Sequence, residues 1–480
     1  MINNYEYIEC DFETTDSDDE TTDSDDDSID SEDDSIEIED DSIESDDDSI
    51  ESDDDSIESD DDYIESEDDI TELTITIYEL FDEYIQQNVF RLMSCKFYNE
   101  MIISTTEIIF ADLYDDDDDI DNLQFNELTE YIKQVADYFL DFYDIPRRTT
   151  TTPQIITSIR KLELECIITN LEQIEQPAQR TPDWYKFRYN LITASSLHKA
   201  LGTPASVNSI ICEKCKPLMY TSIFSNVNTG TSLHWGVKYE PVSALIYEHK
   251  YNTRIGEFGC IQHPKHSFIG ASPDGINIDP NCHLYGRMLE IKNIVNRDIT
   301  GIPKDEYWVQ TQIQMETCNL DECDFVETRF KEYENEYLFY NDDMREYKGI
   351  MLQFYEIMNC DNTQSMSPIY KYMPLNIVIE SQCINNWIND QTCDMNSHNY
   401  KLIDTIYWYL DEFSCVLIPR NKQWFNSTIS IIENVWNTIL DERINGHEHR
   451  INKHTSYNNF NQSKQICIIR LDENGNSIIQ

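Results

Sequence analysis

Two stretches decide the fold: Gly270-Ala271-Ser272-Pro273-Asp274-Gly275 and Leu289-Glu290-Ile291-Lys292, whose acid falls sixteen positions beyond Asp274. Ile276 and Ile278 alternate with polar residues, as a half-buried strand requires. Pro280-Asn281 and Tyr285-Gly286 are turn chemistry, and Met288 to Ile291 reads as the returning strand. A hairpin folded this way carries Asp274, Glu290 and Lys292 to one end of a sheet.

Two carboxylates that can share a divalent cation, with an ammonium beside them, suit phosphodiester hydrolysis. The cation draws charge off the phosphate and lowers the pKa of a bound water. The lysine positions or deprotonates that water, or meets the developing charge. An Asp-Gly turn before a surface Glu/Lys strand would produce the same letters, so the hairpin takes its meaning from the segments around it.

The 480-residue chain is long enough for several domains. Its formal net charge of -60 is unevenly spread. Residues 1–70 hold 36 Asp and Glu and no Lys or Arg, whereas residues 181–330 sum to -2. An isoelectric point of 4.2 would argue against a nucleic-acid partner. The segment with the hairpin escapes that objection, because it is near neutral and can carry a local basic groove. The acidic N-terminus is unlike a secretory signal, and no apolar run approaches the ~18–20 residues of a membrane span. The expected location is therefore intracellular and not secreted: host cytoplasm or a viral factory if the source is a virus, or the virion itself. Fourteen scattered cysteines fit reduced thiols.

Five regions are expected. Residues 1–70 form an acidic tail in which Ser42-Ile43-Glu44-Ser45-Asp46-Asp47-Asp48 repeats with period seven. One apolar residue per heptad is too few for a coiled-coil seam, and self-repulsion predicts disorder. Each Ser before three acids suits an acidophilic kinase. Residues 71–150 form a small helical module: Ile77, Leu80, Phe81, Tyr84 and Ile85 recur at helical spacing, as do Tyr131, Ile132, Val135, Phe139 and Leu140. The acidic run Asp115–Asp119 separates these patches. Residues 160–345 form a mixed α/β core, with helices over 162–175, 183–200, 232–250 and 305–319 and strands over 254–262, 268–278, 287–294 and 325–332. Residues 346–445 continue it through strands near 350–355 and 415–418 and a helix over 424–443. Residues 446–480 are expected to be weakly ordered.

Further segments carry the residue types of a DNA-processing site. Trp184-x-x-x-Arg188 puts an aromatic and a guanidinium on one helix face. In Leu191-Ile192-Thr193-Ala194-Ser195-Ser196, hydroxyls meet a helix N-terminus, which is an anion site. Gly230 to Glu240 leads into a helix whose Glu240 could reach the hairpin acids. Tyr307-x-x-Gln310-x-Gln312-x-Gln314 sets the amides of Gln310 and Gln314 on one helix face.

In this order the segments W-x-x-x-R, I-T-A-S, G-x-x-x-E, S-P-D-G, L-E-I-K and Y-x-x-Q-x-Q resemble the YqaJ-type viral recombinase family, which includes the lambda exonuclease of the PD-(D/E)XK superfamily. The resemblance covers roughly residues 180–345, with an echo over 416–436. It implies a restriction-endonuclease-like core, a mixed central sheet flanked by helices. It also implies a Mg²⁺-dependent exonuclease, with Mn²⁺ as the alternative ion, that digests duplex DNA from a 5′ end during recombination and repair. By this resemblance Asp274, Glu290 and Glu240 are metal-site acids, the Ile291 carbonyl faces the metal, and Lys292 is the catalytic lysine. Gln310 is a helix residue at the active site. Arg188, Ser195 and Thr193 fall at the position that holds a DNA 5′-phosphate. The partners implied are duplex ends, a single-strand annealing protein and further copies of the chain in a ring. Asn190 departs from the glycine that often follows the first motif, and the tail and helical module have no counterpart in the phage enzyme.

Other residues carry less. Cys212-x-x-Cys215 has metal-knuckle spacing and would need a second pair for a structural zinc; Cys318 with Cys323 is a poor match, Cys260-x-x-His263 is closer, and free thiols are the expected state. His249, His263 and His266 read as surface or packing residues. Two other readings stay open at this point: a structural or virion protein that retains the nuclease fold, and an endonuclease on the same core. The Asn-, Ile- and Tyr-rich usage points to an AT-rich genome, such as that of a large DNA virus.

Overall fold

The structure, a computed structural model, describes residues 67–113, 122–143, 145–177, 181–218, 229–356 and 368–450, and a pair of two-residue strands at 470–471 and 477–478. The acidic repeats, the run Asp115–Asp119 and nearly all of the C-terminal segment lie outside the described residues. Two units are distinguished: Asp11–Ile75, of which only the start of one helix is described, and Thr76–Gln480 with the first ten residues. All contacts below belong to the larger unit.

In chain order the elements are α1 (Glu67–Asn88), α2 (Phe97–Leu113), α3 (Asn122–Phe142), α4 (Ser158–Gln173), α5 (Pro182–Tyr189), β1 (Ile192–Thr193), α6 (Ala194–Leu201), α7 (Pro204–Cys215) and α8 (Ser232–Tyr251). There follow β2 (Ile255–Gly256), β3 (Ile261–Gln262), β4 (Ile269–Ala271), β5 (Gly275–Asn277), β6 (Met288–Asn293), α9 (Asp305–Cys318), β7 (Glu322–Glu332) and α10 (Glu336–Asn341). The last are β8 (Lys348–Glu356), β9 (Ile369–Tyr372), α11 (Ser381–Ser397), β10 (Tyr400–Pro419) and α12 (Lys422–Asn445).

The N-terminal helices bury the stripes their spacing sets: Ile77, Phe81 and Ile85 on α1 and Ile132, Val135, Phe139 and Leu140 on α3. Phe81 meets Phe139 edge-on, ring centroids 5.4 Å apart. The segment after α3 is pinned to the core. Thr150 N donates to Leu417 O at 2.9 Å, and Gln154 N donates to Glu322 Oε1 at 2.6 Å.

The core is mixed α/β. A seven-stranded sheet runs β2-β5-β6-β7-β10-β8-β9, and a smaller sheet runs β1-β4-β3. β6 and β7 are parallel neighbours, joined by a crossover through α9. β5 returns antiparallel onto β6 with Gly275 opposite Leu289, the hairpin expected from the sequence. Because side chains alternate across a strand, β6 divides its residues between two faces. Leu289 and Ile291 pack with Val326 and with Tyr247 of α8. Glu290 and Lys292 take the other face, where they meet α9.

Three expected elements are broken in ways that matter. The strand over 268–278 is two strands in different sheets: β4 ends at Ala271, β5 begins at Gly275, and the chain crosses between them at Ser272-Pro273-Asp274. Pro273 has no N–H for a ladder, which suits it to the crossing. The strand over 254–262 likewise splits into β2 and β3, one in each sheet. The helix over 183–200 is interrupted by β1, which pairs in parallel with β4. β10 is far longer than its apolar end suggested. It spans twenty residues and pairs with both β7 and β8, with irregularities at Leu402/Asp404 and Leu410/Glu412.

Candidate active site

Asp274 sits where the chain passes from one sheet to the other. Its Oδ2 accepts a hydrogen bond from Ile291 N at 2.7 Å, which fixes the carboxylate over the edge of β6. Glu290 is almost fully buried, at 1 % exposure, and is held by three donors. Lys292 Nζ and Gln310 Nε2 reach Oε1 at 2.8 and 2.7 Å, and Gln314 Nε2 reaches Oε2 at 2.7 Å. Gln310 Oε1 in turn accepts from Lys292 Nζ at 3.2 Å, closing a triangle. The four-residue spacing puts both amides on the α9 face over β6. Gln312 turns the other way, to Pro419 O and Asn421 N.

Burial is the largest influence on Asp274, and it raises the pKa well above the ordinary carboxylate value. Glu290 and then Glu240 push the same way, and Lys292 opposes them. At Lys292 burial acts to lower the pKa, but Glu290 and Asp274 beside it carry the balance upward. Burial and the neighbouring acids thus disfavour the charged form of Asp274 more than the lysine favours it. Glu240 lies exposed on α8, within electrostatic reach of Asp274.

Hard oxygen donors of this kind fit Mg²⁺ or Mn²⁺. Among the described residues no three His, Cys, Asp or Glu side chains stand close enough to enclose a metal. Mg²⁺ does not require such a cage, since it keeps several waters and takes one or two carboxylates together with substrate phosphate. The crowding of Asp274 by Glu290 and Glu240 is the feature that a bound cation would relieve.

Arg188 lies at the end of α5, its guanidinium 4.5 Å from the Trp184 ring centre. Thr193 caps α6 and is buried; its Oγ1 lies 3.3 Å from Ser195 Oγ and 2.9 Å from Ser196 Oγ. Ser195 itself is exposed. The break at β1 thus sets an arginine and a hydroxyl cluster on consecutive elements.

Two further neighbours surround Lys292: Tyr307, which the Y-x-x-Q-x-Q motif marked one turn before Gln310, and Arg297, which it did not. Tyr307 lies under the lysine, with Lys292 Nζ 4.9 Å from its ring centre, and Arg297 Cζ is 5.8 Å from the same ring. Arg297 pairs with the buried Glu327, the partner of Lys292 across β6 and β7. Arg297 comes from a loop with no periodicity, so nothing local marks it. The Gln310/Gln314 spacing did mark Gln314.

An Asp at a sheet crossing, a Glu-x-Lys on the adjoining strand and a crossover helix roofing them define a mixed α/β core with an acid–lysine site at the end of its sheet. More particularly, residues 183–321 match the YqaJ-like viral recombinase domain. The chain is 28 % identical over 302 residues to an uncharacterized protein of Acanthamoeba polyphaga mimivirus, covering 56 % of this chain and 54 % of that one. It thus spans about half the length of this curated relative. Two solved structures are also similar: LHK-Exo in complex with dAMP and the alkaline exonuclease LHK-Exo from Laribacter hongkongensis. They are 20 % and 19 % identical, cover 58 % and 59 % of this chain and 99 % of theirs, and give a TM-score of 0.31 in each case. No described helix is long and apolar enough to cross a membrane.

Proposed function

We propose that this protein is a metal-dependent deoxyribonuclease that digests duplex DNA from a phosphorylated 5′ end. The observation that carries the reading is the joint fixation of Asp274, Glu290 and Lys292 by Ile291 N, Gln310 and Gln314, within the segment matched to the recombinase domain.

Asp274, Glu290 and the Ile291 carbonyl are the proposed holders of Mg²⁺ or Mn²⁺, with Glu240 adding negative charge within electrostatic reach. When bound, the ion supplies Lewis-acid polarisation of the scissile phosphate and a more acidic water. The remaining chemistry belongs to the side chains. Lys292 keeps its proton, because two carboxylates favour the charged form. Its role is to hold the attacking water and to meet charge developing on the phosphate. Gln310 keeps that ammonium in register with Glu290. Arg188 grips the terminal phosphate by charge-assisted bonds, and the Thr193 and Ser195 hydroxyls complete that pocket. DNA ends are the proposed partner.

The test is digestion of end-labelled linear duplex with Mg²⁺, comparing 5′-phosphate with 5′-hydroxyl ends. Metal-dependent release from ends, faster for the phosphate, is the expected result. Absence of cleavage with both Mg²⁺ and Mn²⁺ overturns the reading; equal rates on both ends, with nicking of circular DNA, would replace it with an endonuclease.

A further inference from the structure

The last carbonyls of α5 lie beyond the helical ladder; Arg188 O accepts from Leu191 N at 3.4 Å, and two cations from distant parts of the chain supply further donors to this end. Lys214 Nζ, from α7, donates to Arg188 O at 3.1 Å. Arg443 Nη2, from α12, donates to Tyr189 O at 2.6 Å, and its Nε donates to Lys214 O at 2.8 Å. The Arg443 guanidinium also lies 3.7 Å from the Tyr189 ring centre. Lys214 is buried, at 3 % exposure. A lysine enclosed in this way is unusual, and the metal-site chemistry above makes no use of it.

We propose that Lys214 is a positioning residue for Arg188, and that its charge sets how strongly the protein prefers a phosphorylated DNA end. The proposal rests on the reading of Arg188 as the phosphate grip. A cation at the C-terminal end of a short helix is favoured by the helix dipole and holds the last carbonyls in place. Arg188 is the residue whose carbonyl is held, so its side chain starts from a fixed backbone. A buried positive charge behind that side chain also adds to the field felt by an incoming phosphate, and low-dielectric surroundings screen it weakly.

The charge can change within an accessible range. Burial, the largest influence, brings the Lys214 pKa down to about 8; Glu213 opposes the drop, while Arg188 and Arg443 add to it and the Cys260 thiol opposes it. The charged and titratable groups acting on Lys214 are Glu213 on α7, Arg188 on α5, Arg443 on α12 and Cys260 before β3. Burial raises the Cys260 thiol above its ordinary value. The DNA 5′-phosphate has its second pKa near ~6 and remains a dianion above pH 7. Between pH 7 and 9 Lys214 therefore passes from charged to neutral while the phosphate does not change. Linkage is reciprocal, so a bound phosphate must also hold the proton on Lys214 more tightly.

The readout is the ratio of kcat/KM on 5′-phosphate and 5′-hydroxyl duplexes from pH 7 to 9, which cancels pH effects common to both substrates and reports the free enzyme's groups. The expected result is a ratio that falls about fivefold across pH 8 in the wild type. In Lys214→Arg, which keeps its charge, the ratio should stay high and flat; in Lys214→Met it should be low and flat. A wild type with no preference for phosphate at any pH overturns the Arg188 reading and this inference with it. A clear preference that is flat in the wild type, or that falls equally in Lys214→Arg, overturns this inference and leaves the Arg188 reading standing.

Discussion

At Lys292 two large effects oppose one another: burial disfavours the ammonium, and adjoining carboxylates favour it. The carboxylates win, so the residue is a fixed cation. Lys292→Ala should lower the nuclease rate by about a hundred- to a thousandfold, the usual loss of one preorganised electrostatic group. Lys292→Arg should recover little, because a planar guanidinium cannot fit the Glu290–Gln310 triangle. Asp274→Ala should cost at least as much; cleavage by Asp274→Ala at the wild-type rate would rule out this site. A second residue acts on stability alone. His263 is buried, stacks on Phe425, and accepts at Nδ1 from the amides of Lys265 and His266, both at 3.1 Å. Burial, the largest effect, with His266, Lys265 and Arg420 assisting, brings its pKa down to about 4. Its unfolded value is near ~6.5, so below that pH the unfolded chain binds the extra proton. The stability it contributes is complete above pH ~6.5 and is lost as pH falls toward 4. His263→Asn, which retains an acceptor and cannot titrate, should flatten the fall in melting temperature over that window.

At the scale of the element, α9 separates two jobs by helical phase. Gln312→Leu would leave Asn421 N, at the cap of α12, and Pro419 O without their partner, a cost of about 1–3 kcal/mol. Gln314→Leu removes a donor from Glu290 and from Ser272 O, and the carboxylate keeps its bonds from Lys292 and Gln310, while the Gln314 Oε1 that is lost is itself buried without a partner, so its main effect should fall on the site. The expected pattern is a lower melting temperature with retained specific activity for Gln312→Leu, and the reverse for Gln314→Leu. Equal loss of activity in both would remove the distinction. This phase was legible in the sequence, because four-residue spacing alone puts Gln310 and Gln314 together. The hairpin was legible for the same reason, since Asp274-Gly275 and Leu289 to Lys292 are local patterns. Sheet membership was not legible. Nothing local says that Ala271 and Gly275 belong to different sheets, because that is set by the pairing of β4 with β1 and of β5 with β6. β10 hid because its irregularities break the alternation and most of it is only half-buried. Lys214 and Arg443 were missed because their role exists only where α5, α7 and α12 meet.

At the scale of the whole molecule the helical module reaches the site through α9. Arg148 Nη2 donates to Pro303 O at 2.9 Å, Trp308 Nε1 donates to Arg148 O at 3.1 Å, and Cys95 N donates to Asp305 Oδ1 at 3.0 Å, all at the helix's N-terminal end. The module is thus a buttress for the helix that carries Gln310. The acidic segment before it stands in a different relation to the chemistry, one of charge. Residues 1–66 hold 33 Asp and Glu without a single Lys or Arg, and α1 begins only at Glu67. Such a polyanion competes with DNA for any basic groove, or repels DNA from it. Removing residues 1–66 spares every contact described for the larger unit, so melting temperature should change little. DNA affinity and cleavage should rise severalfold at low ionic strength. The gain should shrink as salt rises, because the Debye length is only about 10 Å at 0.1 M. Phosphorylation of the Ser-Asp-Asp-Asp repeats adds roughly two negative charges per site and should weaken DNA binding further. Salt titration of binding by full-length, truncated and phosphorylated protein separates these effects. Identical affinities for the full-length and truncated chains at low salt would make the acidic segment a tether or solubilising arm, with no part in DNA binding.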